Sequence, residues 1–297
     1  MYSVSSDPIT LKTNLEDAPV VAAMKDGRVS SNIVNLNICG PKNAMAGFKP
    51  MLRENAFDCG ELAIITYLQA RMYDKPFVML PFPLSGKEHH SGMGYNKDLG
   101  VLNPKDIEGR KIGVRTYAQT TGLWLRGVLA HDYGVDLNKV TWLTTDVSHL
   151  AEYKDPPNCQ LLPAGSNLAE MMFKGEIAAG ILGKDMPKDP RVATLIPNAK
   201  EAGEAWIRRE GLVPINHVFV VRKELSKERP DVVRELYRML VESRKLAPEP
   251  VTAGLPPYGV NAMRKTLELA INWAYEQKLI STRFSVDELF DETTASL

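Results

Sequence analysis

The sequence has no apolar run long enough to cross a membrane. Its longest apolar stretches, such as Leu62 to Leu68 and Phe77 to Leu84, are far shorter than the roughly 20 residues that a spanning helix needs. It also has no excess of either charge, since 36 Lys and Arg residues balance 36 Asp and Glu residues. We therefore expect no membrane span and no long-range field that attracts nucleic acid or an anionic membrane surface. Any anion has to be recognised locally.

Cysteine is scarce as well. Cys39, Cys59 and Cys159 are odd in number and far apart, which suits a reducing compartment and gives neither a disulfide framework nor a zinc spacing. We expect them to be buried thiols. The stretch from Met1 to Pro8 shows no basic leader and no apolar signal core, so we expect a cytoplasmic location. A chain from which a signal had been removed would look the same.

The order of the predicted elements favours an α/β protein. A chain of 297 residues is long enough for two lobes, and repeated strand and helix segments predict a mainly parallel sheet in each lobe. The two prolines within Phe77 to Leu84 indicate an edge strand. The main predicted strands are Ile9–Leu15, Ile33–Ile38, Phe77–Leu84, Lys111–Val114, Val140–Leu143 and Val213–Val221, and the main predicted helices are Ala44–Asn55, Thr120–His131, Glu201–Arg209, Pro230–Leu246 and Asn261–Lys278.

The ends of the predicted strands are the first places to look for a site, because parallel sheets bind ligands at the carboxyl ends of their strands. These ends are Asn14–Asp17, Cys59–Glu61, Ser85–Ser91, Arg115–Thr121, Leu182–Asp185 and Asn216–His217. The guanidinium of Arg115 can form a bidentate pair with a carboxylate. Gln119, Thr120 and Thr121 open the next helix and would offer hydroxyl and free backbone N–H groups to the same anion. Alternatively, Thr120 or Thr121 only caps that helix.

Several segments form a distinctive set: Phe57–Leu62, Leu80–Pro83, His90-Ser91, Asp106–Gly109, Ile112–Arg115, Gln119–Thr121, Trp124, Arg126-Gly127, Tyr133–Val135, Trp142 and Pro214–His217. Together they resemble the 4,5-dihydroxyphthalate decarboxylases. The resemblance covers the chain from about Asp17 to Lys245. One departure is the run Asp17-Ala18-Pro19-Val20-Val21, where the family usually carries Asp-Tyr-Asp-x-Thr, and it leaves the ring substituents of the substrate open.

The resemblance implies an α/β, two-lobed fold like that of the type II periplasmic binding proteins, with a mainly parallel sheet and flanking helices in each lobe and a ligand cleft between them. We expect residues 1–95 and 216–297 to form the first lobe and residues 96–215 the second. The implied activity is that of a carboxy-lyase of aromatic catabolism. It would convert 4,5-dihydroxyphthalate, or a close relative in phthalate degradation, to protocatechuate without a metal or organic cofactor. The partner would be a small aromatic carboxylate, and a homo-oligomer remains open.

The resemblance also selects the residues that would carry the chemistry. Decarboxylation of a ring without a cofactor needs an acid that protonates the carbon bearing the carboxylate, and histidine is the natural donor near neutral pH. His217 and His90 are the candidates, with His89 expected to be a solvated neighbour. Glu61 would orient a histidine or take a phenolic proton, or else it only caps the next helix.

Three further residues complete the predicted site. Arg126 would support Glu61 or the substrate, or it faces solvent. Ser91 and Asp17 are the remaining substrate-binding candidates, and His149 is a further candidate site residue. Two other hypotheses stay open: a solute-binding or sensing protein that performs no chemistry, and a metal-assisted decarboxylase with His90 or His217 as a ligand. No dense cluster of His, Asp and Glu supports the metal.

Overall fold

A computed structural model describes residues 8–297 of the chain. Residues 1–7, on which most of the expected cytoplasmic location rests, lie outside the described part. The strands are β1 (Ile9–Asn14), β2 (Val34–Ile38), β3 (Cys59–Ala63), β4 (Phe77–Gly86), β5 (Met93–Asn96), β6 (Lys111–Val114), β7 (Thr141–Thr144), β8 (Cys159–Leu161), β9 (Ala179–Ile181), β10 (Val192–Thr194) and β11 (Ile215–Arg222). The helices are α1 (Ala22–Lys25), α2 (Phe48–Glu54), α3 (Ile64–Met72), α4 (Thr120–His131), α5 (Leu168–Phe173), α6 (Ala199–Glu210), α7 (Lys223–Glu228), α8 (Pro230–Lys245), α9 (Glu249–Thr252), α10 (Val260–Glu276) and α11 (Glu292–Ala295).

The chain forms two compact units. The first comprises residues 8–87, 215–271 and 281–297, and the second comprises residues 88–214 and 272–280. Residues 88–95 and 272–280, which the sequence analysis assigns to the first lobe, thus fall in the second unit. The difference arises because the chain passes between the units directly after β4 and again near the end of α10, where no change of composition marks the passage.

The sheet of the first unit is parallel except for one strand. Its order is β2-β1-β3-β11-β4, with β1 parallel to both β2 and β3 and with β11 antiparallel to both β3 and β4. Only β11 is reversed, because it joins the sheet on the chain's return from the second unit and not through a β-α crossover. The prolines Pro81 and Pro83 lie in β4, which is an edge strand as predicted, since an edge tolerates the missing N–H groups.

One face of this sheet is covered by α1 and α8. Side chains alternate between the two faces of a strand, and Cys59 of β3, Phe219 of β11 and Phe82 of β4 pack in the same buried cluster. The apolar stripe of α8, which includes Val233 and Leu240, closes over it. Glu61 and His217 lie two residues from Cys59 and Phe219 on the same two strands.

The second unit repeats the scheme with six strands. Their order is β10-β5-β9-β6-β7-β8, and β5, the first strand after the chain enters the unit, is the reversed one. The bounds of β6 and α4 agree with the predicted ones. The short strands β5, β8 and β10, with three or four residues each, were not predicted, because so few residues show no periodicity.

Two sequence predictions about the described residues can be checked directly. Among residues 8–297, no helix is long and apolar enough to cross a membrane. The prediction of three buried thiols is wrong for Cys39, which is exposed, and for Cys159, which is only half-buried. Cys59 is fully buried, and this burial raises the pKa of its thiol to about 12, so Cys59 is an inert core residue.

Candidate active site

A carboxylate of β3 and an imidazole of β11 meet in the first unit. Strands β3 and β11 are paired so that His217 lies opposite Ala63 and Phe219 opposite Glu61. Glu61 and His217 therefore project from the same face on adjacent strands, and the Glu61 carboxylate contacts Nδ1 of His217 as both a hydrogen bond and an ion pair. Their side chains are only 9% and 13% exposed. A pair so shielded from water holds its geometry better than a surface pair does.

Both members of the pair are held by neighbours. The backbone N–H of Glu16 donates to Oε2 of Glu61 over 3.3 Å, and the carboxylate of Glu16 accepts from the backbone N–H of Ala44 over 3.3 Å. The ring of Phe48 at the start of α2 lies edge-on to the His217 ring, with centroids 5.7 Å apart and planes at 73°. The loop after β1 and the loop after β2 thus orient Glu61, and α2 limits the rotation of His217.

This arrangement defines the chemistry open to His217. Because Glu61 engages Nδ1, it favours the tautomer that keeps the Nδ1 proton and leaves Nε2 for exchange with a ligand, as carboxylates do in catalytic histidine pairs. Among residues 8–297, Nε2 of His217 has no hydrogen-bond partner. The carboxylate also balances the positive charge when the ring binds a second proton. The pair can therefore deliver a proton at Nε2 and take it back.

Close contacts with three glycines surround Asn14 at the end of β1. A Cβ atom at Gly40 or Gly47 would lie 2.3 or 2.4 Å from Oδ1 of Asn14, and one at Gly60 would lie 2.2 Å from its carbonyl oxygen. Gly60 also has a φ of +148°, which other residues rarely adopt. The Asn14 amide nitrogen donates to the carbonyl of Ala44 over 3.0 Å. Asn14 therefore ties the loop after β2 to the end of β1, directly beside Glu61.

The sequence predicts Asn14 and Glu16 only as members of a segment that follows a strand. Neither was singled out, because nothing in the sequence tells which residue of that loop faces Glu61. Asp17, which was singled out, is 75% exposed and forms an ion pair with Lys25. The hydrogen bond and the positive charge of Lys25 lower the pKa of Asp17. No contact joins Asp17 to Glu61 or His217 in the described part of the chain.

The start of α4 in the second unit carries several unused polar groups. Gln119 is the N-cap residue, and no side chain caps this end, so the hypothesis that Thr120 or Thr121 only caps α4 is wrong. Oγ1 of Thr120, Oγ1 of Thr116 and Oε1 of Gln119 are all buried without a hydrogen-bond partner in residues 8–297. The first N–H groups of a helix also lack intrahelical acceptors. This end of α4 offers the donors that an anion requires.

Arg115 stands just before that helix. It follows β6 directly, and its carbonyl oxygen accepts from the backbone N–H groups of Thr145 over 3.1 Å and Asp146 over 2.8 Å. These bonds fix the backbone from which the half-buried Arg115 side chain projects. Thr121, in the first turn of α4, packs closely on Gly92, where an added Cβ would lie 3.0 Å from its methyl group.

Arg126 does not face solvent, which was one of its predicted positions. It is fully buried in the second unit, where Nε donates to Gln277 over 2.9 Å and Nη2 donates to the carbonyl of Tyr117 over 2.7 Å. Its guanidinium also lies 3.9 Å from the centre of the Tyr117 ring and 5.3 Å from that of Trp142. Arg126 therefore organises the segment between β6 and α4 that carries Arg115 and Gln119.

The histidine pair differs in part from the prediction. His89 is 4% exposed, so its expected role as a solvated neighbour is wrong. His90 is 3% exposed, and its ring lies 6.0 Å from that of Trp206. Burial lowers the pKa of His90, which disfavours the charged form that a proton donor needs. Ser91 is exposed.

Metal ligands do not cluster in the described structure. Within residues 8–297 no group of three or more His, Cys, Asp or Glu side chains is placed to hold a metal ion. His90 and His217, the two ligands considered for a metal, lie in different units. The geometry that the described residues do offer is that of an acid and its oriented carboxylate at Glu61 and His217.

Comparison with known structures identifies the class of fold. The alkanesulfonate-binding protein SsuA from Xanthomonas axonopodis pv. citri superposes with a TM-score of 0.58 and 13% identity, covering 97% of this chain and 99% of that chain. The periplasmic aliphatic sulphonate binding protein SsuA from Escherichia coli superposes with a TM-score of 0.58 and 11% identity, covering 96% of this chain and 93% of that chain. The desulfurization enzyme DSZB superposes with a TM-score of 0.54 and 14% identity, covering 96% of this chain and 98% of that chain. The predicted α/β fold, like that of the type II periplasmic binding proteins, is confirmed, and it occurs in binding proteins and in an enzyme.

Comparison with curated proteins gives two relatives that share one name. A 4,5-dihydroxyphthalate decarboxylase from Comamonas testosteroni is 26% identical over 210 residues, which are 64% of this chain and 62% of the relative. One from Pseudomonas putida is 25% identical over 169 residues, which are 52% of this chain and 65% of the relative. The matched part thus spans less than two thirds of either relative. No family model matches the chain. The predicted resemblance to the 4,5-dihydroxyphthalate decarboxylases is confirmed.

Proposed function

We propose that the protein is a cofactor-independent carboxy-lyase. Its substrate would be a hydroxylated, phthalate-like aromatic dicarboxylate, either 4,5-dihydroxyphthalate or a close relative, and its product protocatechuate or the corresponding monoacid. The observation that carries the proposal is the shielded Glu61–His217 pair between β3 and β11. The similarity to two proteins named as 4,5-dihydroxyphthalate decarboxylases supports an enzyme and suggests this substrate class.

In this proposal His217 is the acid. Its imidazolium transfers the Nε2 proton to the ring carbon that bears the departing carboxylate, and the para hydroxyl group supplies electron density to that carbon. The bond between this carbon and the carboxylate then breaks, CO2 leaves, and its electron pair restores the aromatic ring. One proton is consumed and one CO2 released per turnover, and His217 regains its proton from water. Positioned acid-base catalysis of this kind contributes about 10²-fold to 10⁴-fold in rate.

Glu61 acts through His217. Because the backbone of Glu16 holds the second oxygen of the carboxylate, Glu61 has one orientation in which it binds Nδ1 and keeps Nε2 directed away from itself. This arrangement explains why a glutamate occupies an almost buried position, since a buried carboxylate needs a charged or hydrogen-bonding partner. His90 is the weaker candidate for the acid, because burial lowers its pKa.

Carboxylate recognition is assigned to the second unit. We propose that the guanidinium of Arg115 forms a bidentate pair with a carboxylate of the substrate. The free backbone N–H groups at the start of α4 and the hydroxyls of Thr120 and Thr121, with Gln119 beside them, assist it. The buried, unpartnered Oγ1 of Thr120 supports this assignment, because a buried hydroxyl without a partner is costly unless a ligand uses it. Arg126 would act as a positioning residue beneath them.

A second candidate function is solute binding without chemistry. The likeness to the sulfonate-binding proteins favours it, although likenesses at 11% and 13% identity define the fold alone. The Glu61–His217 pair favours the enzyme, since a binding protein has no need to orient a proton donor. The predicted roles of Ser91 and Asp17 in binding, the cytoplasmic location and the oligomeric state stay predictions.

One experiment separates the two functions. The purified protein is mixed with 4,5-dihydroxyphthalate in D2O, and CO2 release and protocatechuate are followed by gas analysis and by mass and NMR spectra. The enzyme should release one CO2 per product and place a single deuterium on the carbon that lost the carboxylate. Binding measured by calorimetry with no product formed would contradict the decarboxylase and support the binding protein.

A further inference from the structure

Arg244 is a buried arginine that has no anionic partner among residues 8–297. It lies in the last turn of α8 in the first unit and is 8% exposed. Its Nη1 is buried without a hydrogen-bond partner, and no carboxylate within residues 8–297 forms an ion pair with it. Arg238 on the same helix, by contrast, is paired with Glu235 and Glu242. Arg244 therefore has charge and donor capacity that the described residues do not use.

Aromatic rings surround the Arg244 guanidinium. Its carbon lies 5.9 Å from the centre of the Phe82 ring and 5.4 Å from that of Tyr258. The Phe82 and Tyr258 rings are stacked, with centroids 5.7 Å apart and planes at 26°, and Tyr237 stands edge-on to Phe82 at 6.4 Å. Contacts with ring faces favour a guanidinium, but they give Nη1 no acceptor among residues 8–297. The edge of a guanidinium is where an anion binds.

Tyr237 and Tyr258 both pack on the Phe82 ring, and the backbone around Tyr258 is fixed. Tyr258 follows Pro256 and Pro257, which restrict the backbone, and the N–H of the next residue, Gly259, donates to a β4 carbonyl over 2.7 Å. Tyr237 lies about two helical turns before Arg244 on α8. Both tyrosines are half-buried, so part of each residue is accessible to solvent.

We infer that Arg244, together with Tyr237 and Tyr258, binds the carboxylate group of a small monoanionic ligand. A guanidinium removed from water is costly without a partner, and a carboxylate would satisfy its edge with two parallel hydrogen bonds. A carboxylate fits better than a phosphate dianion because Arg244 lies in the last turn of α8, where the negative end of the helix dipole opposes a second negative charge. The ligand class is thus a carboxylic acid with an apolar or aromatic body that contacts the rings.

This inference is independent of the proposed function, because neither Glu61 nor His217 enters it. The carboxylate could belong to the substrate of the enzyme or to a separate acid. Both sources share the same recognition chemistry. The experiment therefore uses benzoate as the probe and adds 4,5-dihydroxyphthalate in a second step to distinguish them.

The direct test follows the Nε–H signal of Arg244 in ¹⁵N NMR of the whole protein during a benzoate titration. The signal is assigned by its loss in Arg244→Lys. We expect a saturable shift of this signal and, in calorimetry, an affinity for benzoate that falls at least about tenfold in Arg244→Met. The matched control is Arg234→Met, which removes an exposed arginine from the same helix and should leave the affinity unchanged. Phosphate should bind more weakly than benzoate.

Stability provides a second measurement. Arg244→Met replaces an unpartnered buried charge with an apolar chain, so its melting temperature should equal or exceed that of the wild type, and benzoate should raise only the wild-type value. If Arg244→Met does not fold, the wild-type titration and Arg244→Lys still decide the question. Displacement of benzoate by 4,5-dihydroxyphthalate would assign the site to the substrate, and simultaneous binding would assign it to a separate acid. An Arg244 signal that does not move on saturation with benzoate, or equal losses in Arg244→Met and Arg234→Met, would overturn the inference.

Discussion

The substitution Glu61→Gln removes one negative charge from the Glu61–His217 pair and changes almost no volume. In the native pair, one carboxylate oxygen binds Nδ1 of His217 and the other accepts from the backbone N–H of Glu16. A glutamine has one accepting oxygen and one donating NH2 group. If its oxygen faces His217, its NH2 group meets the N–H of Glu16, and if it faces Glu16, its NH2 group meets Nδ1.

Either orientation of the glutamine therefore loses a hydrogen bond and the charge that balances the imidazolium. If proton delivery by His217 depends on this carboxylate, kcat for decarboxylation should fall about 10²-fold to 10⁴-fold, which corresponds to about 2.7 to 5.4 kcal/mol of barrier. KM should change little, because Glu61 is not assigned to substrate binding. The assay is steady-state formation of protocatechuate from 4,5-dihydroxyphthalate.

The protein offers a matched control for this change. His131 and Glu276 form a similar pair at 2.7 Å, but their side chains are 47% and 45% exposed. The control Glu276→Gln should therefore keep wild-type kcat, since an exposed pair contributes little. A kcat for Glu61→Gln within about threefold of the wild type, in a protein that is still folded, would refute the assigned role of the carboxylate.

Three further predictions concern the second unit. Arg115→Lys should raise KM about 10-fold to 100-fold, measured in the same assay, because lysine cannot reproduce a bidentate pair, and an unchanged KM would remove Arg115 from the site. Gly127→Ala should destabilise the protein by about 1 to 3 kcal/mol in urea unfolding, because its Cβ would lie 2.0 Å from the Trp273 ring, whereas Gly254→Ala, which meets no atom within 4 Å, should not. Burial lowers the pKa of His90 below its ordinary 6.5, so its stabilising contribution is present above about pH 6.5 and is lost as the pH falls toward the folded-state pKa. The fall in melting temperature on acidification should thus be smaller in His90→Gln, and equal slopes would contradict this.

The sequence predicted well those elements whose local signals agree with their packing. Helix α4 has the predicted bounds, Thr120 and His131, because its apolar period, its first-turn threonines and Gly134 beyond its end all point to the same helix. Strand β4 was expected at an edge from its two prolines. Strand β11 was predicted two residues too early, because Val213 is as β-prone as the residues that do pair.

The arrangement of the site was beyond the reach of sequence reasoning. Glu61 and His217 are separated by 156 positions, and only the pairing of β3 with β11 joins them. The ring of His90 packs against Trp206 of α6, and a local sequence pattern does not reveal such a contact. The close packing of three glycines around Asn14 was also not predictable, because nothing in the sequence distinguishes them from other glycines.

The central claim is that His217 delivers the proton that replaces the carboxylate. It is tested most directly by comparing single-turnover formation of protocatechuate by the wild type, His217→Asn and the surface control His131→Asn. Each protein must first be shown to bind the substrate and to unfold normally. His217→Asn should bind 4,5-dihydroxyphthalate but form no measurable product, while His131→Asn should match the wild type. Product formation by His217→Asn at the wild-type rate would contradict the claim.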